Sequence, residues 1–162
     1  FFLVSSKIYA DEKILYLDMQ YIMNNSFAGK SIISQLDKKQ KNFSIKYKDL
    51  EVKLKEEEIK LVSQKNILIQ KEFLEKIDIL KKKIKAHNTE KAKTLDLFNK
   101  QKIKAKNQLT EELMQIISNY AVQNSTSLIL KKQSIVIGKS TLEITDDILK
   151  ILDNSVKNIK IK

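Results

Sequence analysis

The chain has 162 residues and a net charge of +11, with 42% hydrophobic and 31% charged residues. It is too apolar for a disordered chain and too charged for a large compact core, which favours long amphipathic helices whose core is completed by partner chains. Every basic residue other than the one histidine is lysine and cysteine is absent, which excludes disulfides and argues against arginine-based reading of nucleic acid.

Residues 1–10 have the pattern of the end of a secretory signal. An apolar run is followed by small residues and by Ile8-x-Ala10, which predicts cleavage after Ala10. A disordered N-terminus and the end of a membrane anchor are the alternatives. No other segment approaches the ~20 apolar residues that a membrane span needs.

Two short elements are predicted next. Residues 13–18 are a short apolar run flanked by charge, which predicts a β-strand. Residues 19–28 predict a helix because apolar side chains recur on one face, at Met19, Ile22, Met23 and Phe27. Gly29 is expected to cap or kink this helix.

A helical pattern then runs from Lys30 to about Gln123. Its first part has the a/d seam of a coiled coil, formed by Leu36, Phe43, Tyr47, Leu50, Leu54, Leu61 and Leu68. A second, less regular seam consists of Leu95, Phe98, Ile103, Leu109, Leu113, Ile116 and Tyr120.

These seams predict two antiparallel helices, because one helix over the whole segment would be about 140 Å long with nothing to pack on. Two turns are possible, at Ser63–Gln70 or at Ala86–Glu90. Asn88 or Thr89 could cap a new helix, so local turn chemistry favours the second position.

Two short β-branched runs follow the helical segment. Leu128–Leu130 and Ile135–Ile137 are predicted to pair as a β-hairpin through Lys131–Ser134, with Gly138 ending the second strand. Together with the strand at 13–18 this gives three strands. Strands from several chains could close a small barrel, which would remove the exposed strand edges.

A last helix is predicted from Thr145 onward. Thr145 is expected to be its N-cap. The carboxylates of Asp146 and Asp147 would interact favourably with the positive end of the helix dipole. The apolar face consists of Ile148, Leu149, Ile151, Leu152 and Val156, and it is expected to pack on the strands.

No residue set in the sequence predicts catalysis. His87 lies in a polar, lysine-rich stretch and is interpreted as solvated, and a metal site needs several convergent ligands. Helix capping explains Asp146 and Asp147, and residues 56–58 are a solvated acidic run. With two glycines there is no phosphate-binding loop. We therefore predict that the protein is not an enzyme and uses no cofactor or metal.

Basic charge is concentrated between residues 81 and 106, where ten lysines and two acidic residues give a net charge of +8. This segment is either a solubilising helix surface or a capture surface for an acidic partner. Phe98 is its one aromatic residue, which argues against stacking on nucleobases. The candidate binding residues are Lys81, Lys82, Lys83, Lys85, Lys91, Lys93, Lys100, Lys102, Lys104 and Lys106.

The predicted fold is α+β, with a long antiparallel helical-hairpin (coiled-coil) arm inserted in a small β body that assembles from several chains and carries the C-terminal helix. Residues 11–29 and 124–162 form the body, residues 30–123 form the arm, and residues 1–10 are a signal-peptide remnant. The candidate residues for this assembly, which are trimerisation residues if three chains take part, are Ile14, Leu15, Leu17, Leu128, Ile129, Leu130, Ile135, Val136, Ile137, Ile148, Leu149 and Leu152.

Three segments give the chain a resemblance to the Skp (OmpH) family of periplasmic chaperones. They are the strand 13-KILYLDMQ-20 after a signal cleavage site, the predicted strand–turn–strand 128-LILKKQSIVI-137, and 143-EITDDILK-150. The last resembles the family pattern D-[IV]-T-x-x-[VI]-L-K, with Glu143 in place of Asp. The similarity covers about residues 11–155.

The resemblance implies a periplasmic homotrimer whose helical arms enclose a cavity that holds unfolded outer-membrane proteins without ATP. It also places the arm tip near residues 66–69, whereas local turn chemistry favours 86–90. We adopt the position that the resemblance implies. An anionic lipid or lipopolysaccharide surface is a further candidate partner, and specific nucleic acid is not expected. The alternative is a membrane-anchored stalk like the b subunit of ATP synthases. The predicted strands argue against it, because a helical stalk does not need them.

Overall fold

The computed structural model describes residues 13–161, so the predicted signal remnant lies outside the described residues. The chain forms a strand β1 (Lys13–Leu17), helices α1 (Met19–Asn25), α2 (Phe27–Ser63) and α3 (Gln70–Gln123), a strand β2 (Thr126–Lys131) and a helix α4 (Thr145–Ser155). Two short 3₁₀ turns, Lys132–Ser134 and Ser140–Leu142, lie between β2 and α4. Of the predicted elements, the first strand, the two long helices, a strand at residues 128–130 and the last helix are therefore confirmed.

The described chain divides into two compact units. Unit 1 consists of residues 13–33 and 106–160, and unit 2 consists of Ser34–Ala105 together with Ile161. Unit 1 contains both strands and helices α1 and α4, whereas unit 2 is helical.

The sheet of unit 1 differs from the predicted β-hairpin. β2 pairs with β1 in parallel, with Ile14 opposite Leu128 and Tyr16 opposite Leu130. Residues 135–137 form no strand, so the prediction of a 128–137 hairpin with three strands was wrong. Lys131–Ser134 lacks the glycine or asparagine of a tight hairpin turn, and the chain instead closes a 3₁₀ turn there.

β1 is the central element of this small sheet. β2 covers one edge, and on the other the backbone N–H of Ile144 donates to the carbonyl of Tyr16 at 2.9 Å. Leu15, Tyr16 and Leu17 are all buried, so both faces of the strand are covered. This explains why β1 is a continuous apolar run without alternation.

Helix α4 supplies the apolar face that the sequence predicts. Ile148 and Leu152 are fully buried, and the helix contacts α1. The N-cap prediction was wrong by one residue, because Ile144 occupies the cap and Thr145 is the first helical residue. Thr145 is buried, and its hydroxyl accepts a 2.9 Å hydrogen bond from the backbone N–H of Asp18.

The predicted helix 19–28 is interrupted at Ser26. The backbone of Ser26 is extended there (ψ 155°), which separates α1 from α2, and its hydroxyl accepts a hydrogen bond from the N–H of Gly29. Gly29 therefore lies in the first turn of α2 and does not cap α1, which corrects that prediction. A Cβ on Gly29 would stand 1.9 Å from the carbonyl oxygen of Met23, so this close backbone approach requires glycine.

In unit 2, α2 and α3 form an antiparallel pair. The Tyr47 hydroxyl lies 2.8 Å from that of Thr94, and Glu57, ten residues further along α2, bonds Lys83, eleven residues earlier in α3. The connecting turn comprises residues 64–69, between Ser63 and Gln70. The local preference for Ala86–Glu90 was therefore wrong, since that segment lies inside α3, and the family-based position is confirmed.

The seam on α3 is more polar than the sequence predicts. Leu109 and Leu113 are buried as expected, whereas Leu95 and Ile103 are exposed. From Ile77 to Ala105 of α3, the buried and half-buried positions follow steps of three and four, at Ile77, Leu80, Ile84, His87, Lys91, Thr94, Phe98, Gln101 and Ala105. An apolar pattern could not locate this seam, because four of these nine positions are polar.

Candidate functional site

The ten candidate lysines do not form one face of α3. Nine of them are exposed and Lys91 is half-buried. Successive helix residues rotate by about 100°, so neighbours such as Lys81 and Lys83 lie about 200° apart. The lysines are concentrated in this segment of α3, but they are distributed around the helix and do not share one face.

Four of these lysines are engaged in ion pairs. Lys83 bonds Glu57 at 2.6 Å and Lys91 bonds Glu51 at 2.5 Å, which ties α3 to α2. Lys82 and Lys100 pair with Asp78 and Asp96 within α3. Within residues 13–161, the other six form no ion pair, namely Lys81, Lys85, Lys93, Lys102, Lys104 and Lys106. These six remain open to an external anionic group.

His87 is buried between α2 and α3, which corrects its interpretation as solvated. Its side chain is 7% exposed, with Nε2 3.6 Å from Glu51 and the ring 5.5 Å from that of Tyr47. The hydrogen bond and charge of Lys91 lower the pKa of Glu51. The burial of His87 could not be predicted from its lysine-rich neighbours in the sequence, because it depends on the register of the partner helix.

Four of the predicted trimerisation residues remain exposed on unit 1. Ile14 and Leu128 are register partners on the sheet and are both about half exposed. Val136 and Ile137 are 98% and 92% exposed in the segment after β2. An exposed apolar group of this kind is typical of a surface that another chain covers.

The other predicted trimerisation residues lie within the protomer to different extents. Leu15, Leu17, Ile148 and Leu152 are buried in the core of unit 1. Partial burial is seen at Ile129, Leu130, Ile135 and Leu149. The buried residues are therefore packed within the protomer itself, whereas Ile14, Leu128, Val136 and Ile137 are left exposed.

A polar network connects the end of β2 to the start of α4. Lys132 bonds both carboxylate oxygens of Glu143, at 2.8 and 3.0 Å, and the Thr145 hydroxyl donates to Glu143 at 2.9 Å. The bonds from Lys132 and then Thr145 lower the pKa of Glu143, and the bond to Glu143 raises the pKa of Lys132. This network fixes the loop that leads into α4.

The acidic residues of α4 are used structurally. Asp146 and Asp147 lie in its first turn, and Asp147 accepts a 3.4 Å hydrogen bond from the Tyr120 hydroxyl. Burial, followed by the charge of Asp147, raises the pKa of Tyr120. Across residues 13–161 no group of three or more His, Asp or Glu side chains is arranged to hold a metal ion, and no helix is long and apolar enough to cross a membrane.

Comparisons with known proteins agree with this architecture. The family model described as outer membrane protein (OmpH-like) matches residues 13–152. The crystal structure of a proposed outer membrane chaperone (OmpH-like) from Caulobacter crescentus CB15 superposes with a TM-score of 0.85 and 17% sequence identity, over 92% of this chain and 88% of that chain. At this identity the likeness shows the fold alone. No curated protein matches the chain.

Proposed function

The chain belongs to the OmpH-like outer membrane protein family, and on this premise we propose that it is an ATP-independent periplasmic chaperone that holds unfolded outer-membrane proteins and prevents their aggregation. The observation that carries the proposal is the family match over residues 13–152. This range includes both strands, helices α1, α2 and α3, and most of α4. The fold shared with a proposed chaperone supports it. Both findings favour this function over the alternative of a stalk subunit.

The proposed chaperone is a homotrimer whose helical arms surround the client. Support comes from Ile14, Leu128, Val136 and Ile137, which the protomer leaves exposed on unit 1. Burying apolar area contributes roughly 25 cal/mol per Å², so covering these side chains with neighbouring chains would stabilise an assembly.

Charge supports loose capture of an acidic client. The chain has a net charge of +11, and the six lysines of residues 81–106 without an ion pair within the described chain are exposed. An exposed ion pair contributes at most about 1 kcal/mol and is screened by salt. Many such contacts give binding that is strong in sum and individually reversible, as a holding chaperone requires.

The test is the aggregation of a urea-unfolded outer-membrane β-barrel protein after dilution into buffer without nucleotide. We expect equimolar trimer to suppress the rise in light scattering, and more effectively at low than at high salt. Scattering equal to that of the client alone would overturn the proposal.

A separate variant tests the contribution of these lysines to client binding. Replacing Lys81, Lys85, Lys93 and Lys102 with Gln should weaken client binding about tenfold at low salt and flatten its salt dependence. The control replaces four exposed lysines of unit 1, namely Lys131, Lys139, Lys150 and Lys157, so the net charge changes equally. Equal weakening by both variants would indicate net charge alone and would contradict a role for these positions.

A further inference from the structure

The chain continues past α4 as a segment without helix or strand, residues 156–161, which we call the strap. It lies beyond residues 13–152, the range that the family model matches. Ile159 is 3% exposed, although its neighbours on both sides, Asn158 and Lys160, are exposed. A segment of this kind is usually poorly ordered unless it is tied down. The burial of Ile159 therefore indicates that the strap is held in place.

The side chains that hold the strap lie on one face of α2. Ser31, Gln35 and Lys39 are spaced by four residues and therefore share that face. The Ser31 hydroxyl donates a 2.9 Å hydrogen bond to the side-chain oxygen of Asn158. The side chain of Gln35 accepts from the backbone N–H of Ile161 at 3.0 Å, and the Lys39 ammonium donates to the carbonyl of Ile161 at 3.3 Å. Helix α2 therefore bonds both backbone polar groups of Ile161.

Lys39 also connects the strap to α3. Its ammonium donates a second hydrogen bond, 2.9 Å long, to the side-chain oxygen of Gln101. Lys39 thus bonds α3 and the strap at the same time, and both of its acceptors are uncharged. Across residues 13–161 it forms no ion pair. Because salt screens mainly the interactions between charged groups, attachment of the strap is not expected to depend on salt.

The strap is attached by fewer buried contacts than the helix before it. Ile159 is the one buried residue of residues 156–161, and the α2 side chains that bond the strap are half-buried. Helix α4, in contrast, has a regular backbone and buries both Ile148 and Leu152. Segments with few buried apolar contacts open at a small part of the free energy of global unfolding. The strap can therefore detach while α4 stays folded.

We propose that the strap is a conformational device that holds the base of α2, residues 31–39, and that this part of the helix opens more readily when the strap detaches. Its hydrogen bonds to Ser31, Gln35 and Lys39 extend along more than two turns of the helix. One short segment makes all of these contacts, so detachment removes them together. The base of α2 then has a held state and a released state. This inference goes beyond the proposed function and does not depend on it.

Amide hydrogen exchange of the full chain, followed by mass spectrometry, tests the strap. Ile159→Ser removes the buried side chain of the strap without altering α2. We expect exchange in residues 31–39 to accelerate about tenfold, while exchange in α1 and α4 changes by less than about twofold. The matched control is Lys160→Ser at the exposed neighbouring position, which should leave exchange in residues 31–39 unchanged.

A second variant acts from the side of the helix. Gln35→Ala removes the acceptor of the Ile161 N–H. Alanine has a higher helix propensity than glutamine, so faster exchange in residues 31–39 could not come from a weaker helix. We expect an acceleration of about threefold there. The control is Gln40→Ala, at an exposed glutamine of the same helix, for which we expect no acceleration.

Local acceleration in both variants and in neither control is the predicted result. Unchanged exchange in residues 31–39 of both variants would overturn the inference, because the strap would then lie on α2 without holding it. Equal acceleration in residues 31–39, α1 and α4 would also overturn it, as would an unfolded Ile159→Ser together with unchanged exchange in Gln35→Ala. Ile159 would then be an ordinary core residue. These results do not bear on client holding, so the proposed function is tested separately.

Discussion

Single residues show where composition is a poor guide to role. Lys132 and Glu143 are ordinary charged residues in the sequence, yet with Thr145 they form the network that fixes the start of α4. His87, which its lysine-rich context led us to interpret as solvated, is buried against Tyr47 and Glu51. Charge and hydropathy could not identify these roles, because each depends on a partner distant in the chain.

The Glu143 network predicts a dependence of stability on pH. The lowered pKa of Glu143 means that the unfolded chain binds the proton more readily near the usual value of 4.5. Its contribution to stability is therefore present above that pH and is lost as the pH falls through the folded pKa.

Glu143→Gln should lower the free energy of unfolding by about 1 kcal/mol at pH 7, and the difference should vanish in acid. Thermal unfolding from pH 7 to pH 3 measures this. Glu111→Gln, at an exposed carboxylate that forms no ion pair in the described chain, is the control and should change little. A Glu143→Gln effect that is the same at both pH values would contradict this role.

At the scale of elements, the sequence predicted the type of most segments but not all of their partners. β1 followed from a short apolar run, and the end of the helical pattern at Gln123 is confirmed. The 128–137 hairpin was wrong because local runs cannot show that β1, over a hundred residues earlier, provides the pairing edge. The turn at 64–69 likewise lacks strong turn residues, and the family resemblance located it where local chemistry did not.

The junction between α1 and α2 gives an element-scale prediction. Gly29→Ala would raise intrinsic helix propensity by about 1 kcal/mol. The new Cβ, however, would meet the carbonyl oxygen of Met23 at 1.9 Å, and a backbone atom cannot move aside cheaply. We therefore expect a net loss of about 3 kcal/mol, measured by denaturant unfolding.

Gly138→Ala is the comparison for this variant. Its Cβ would meet a ring carbon of Tyr16 at 2.9 Å, and φ is not positive at either glycine. A side chain can shift more easily than the backbone, so this variant should cost less than about 1 kcal/mol. A smaller loss for Gly29→Ala than for Gly138→Ala would contradict the assigned backbone contact.

For the whole molecule, the sequence indicated candidate surfaces without showing which residues stay available. Lysine content was visible, but only the structure separates the paired Lys83 and Lys91 from lysines without an ion pair in the described chain. Similarly, Leu15 and Leu17 belong to the protomer core, whereas Val136 and Ile137 remain exposed. Burial by the chain itself, which no local pattern encodes, makes this distinction.

The proposed assembly predicts the effect of charge at these exposed positions. Val136→Asp with Ile137→Asp should leave the protomer folded, because both side chains are almost fully exposed. It should convert the proposed trimer to monomers, since burying two unpaired carboxylates at an interface is costly. Sedimentation equilibrium with circular dichroism checks this, and a folded trimer would rule out these residues as interface contacts.

The central claim is tested most directly by the absolute mass of the protein with an unfolded outer-membrane protein, using light scattering after size exclusion. The account predicts three times the 18.8 kDa protomer mass for the chaperone alone, less any residues removed with a signal. With the client it predicts a soluble complex whose mass is that of the trimer plus one client, without nucleotide. A monomer or dimer, or a client that elutes separately or aggregates, would contradict it.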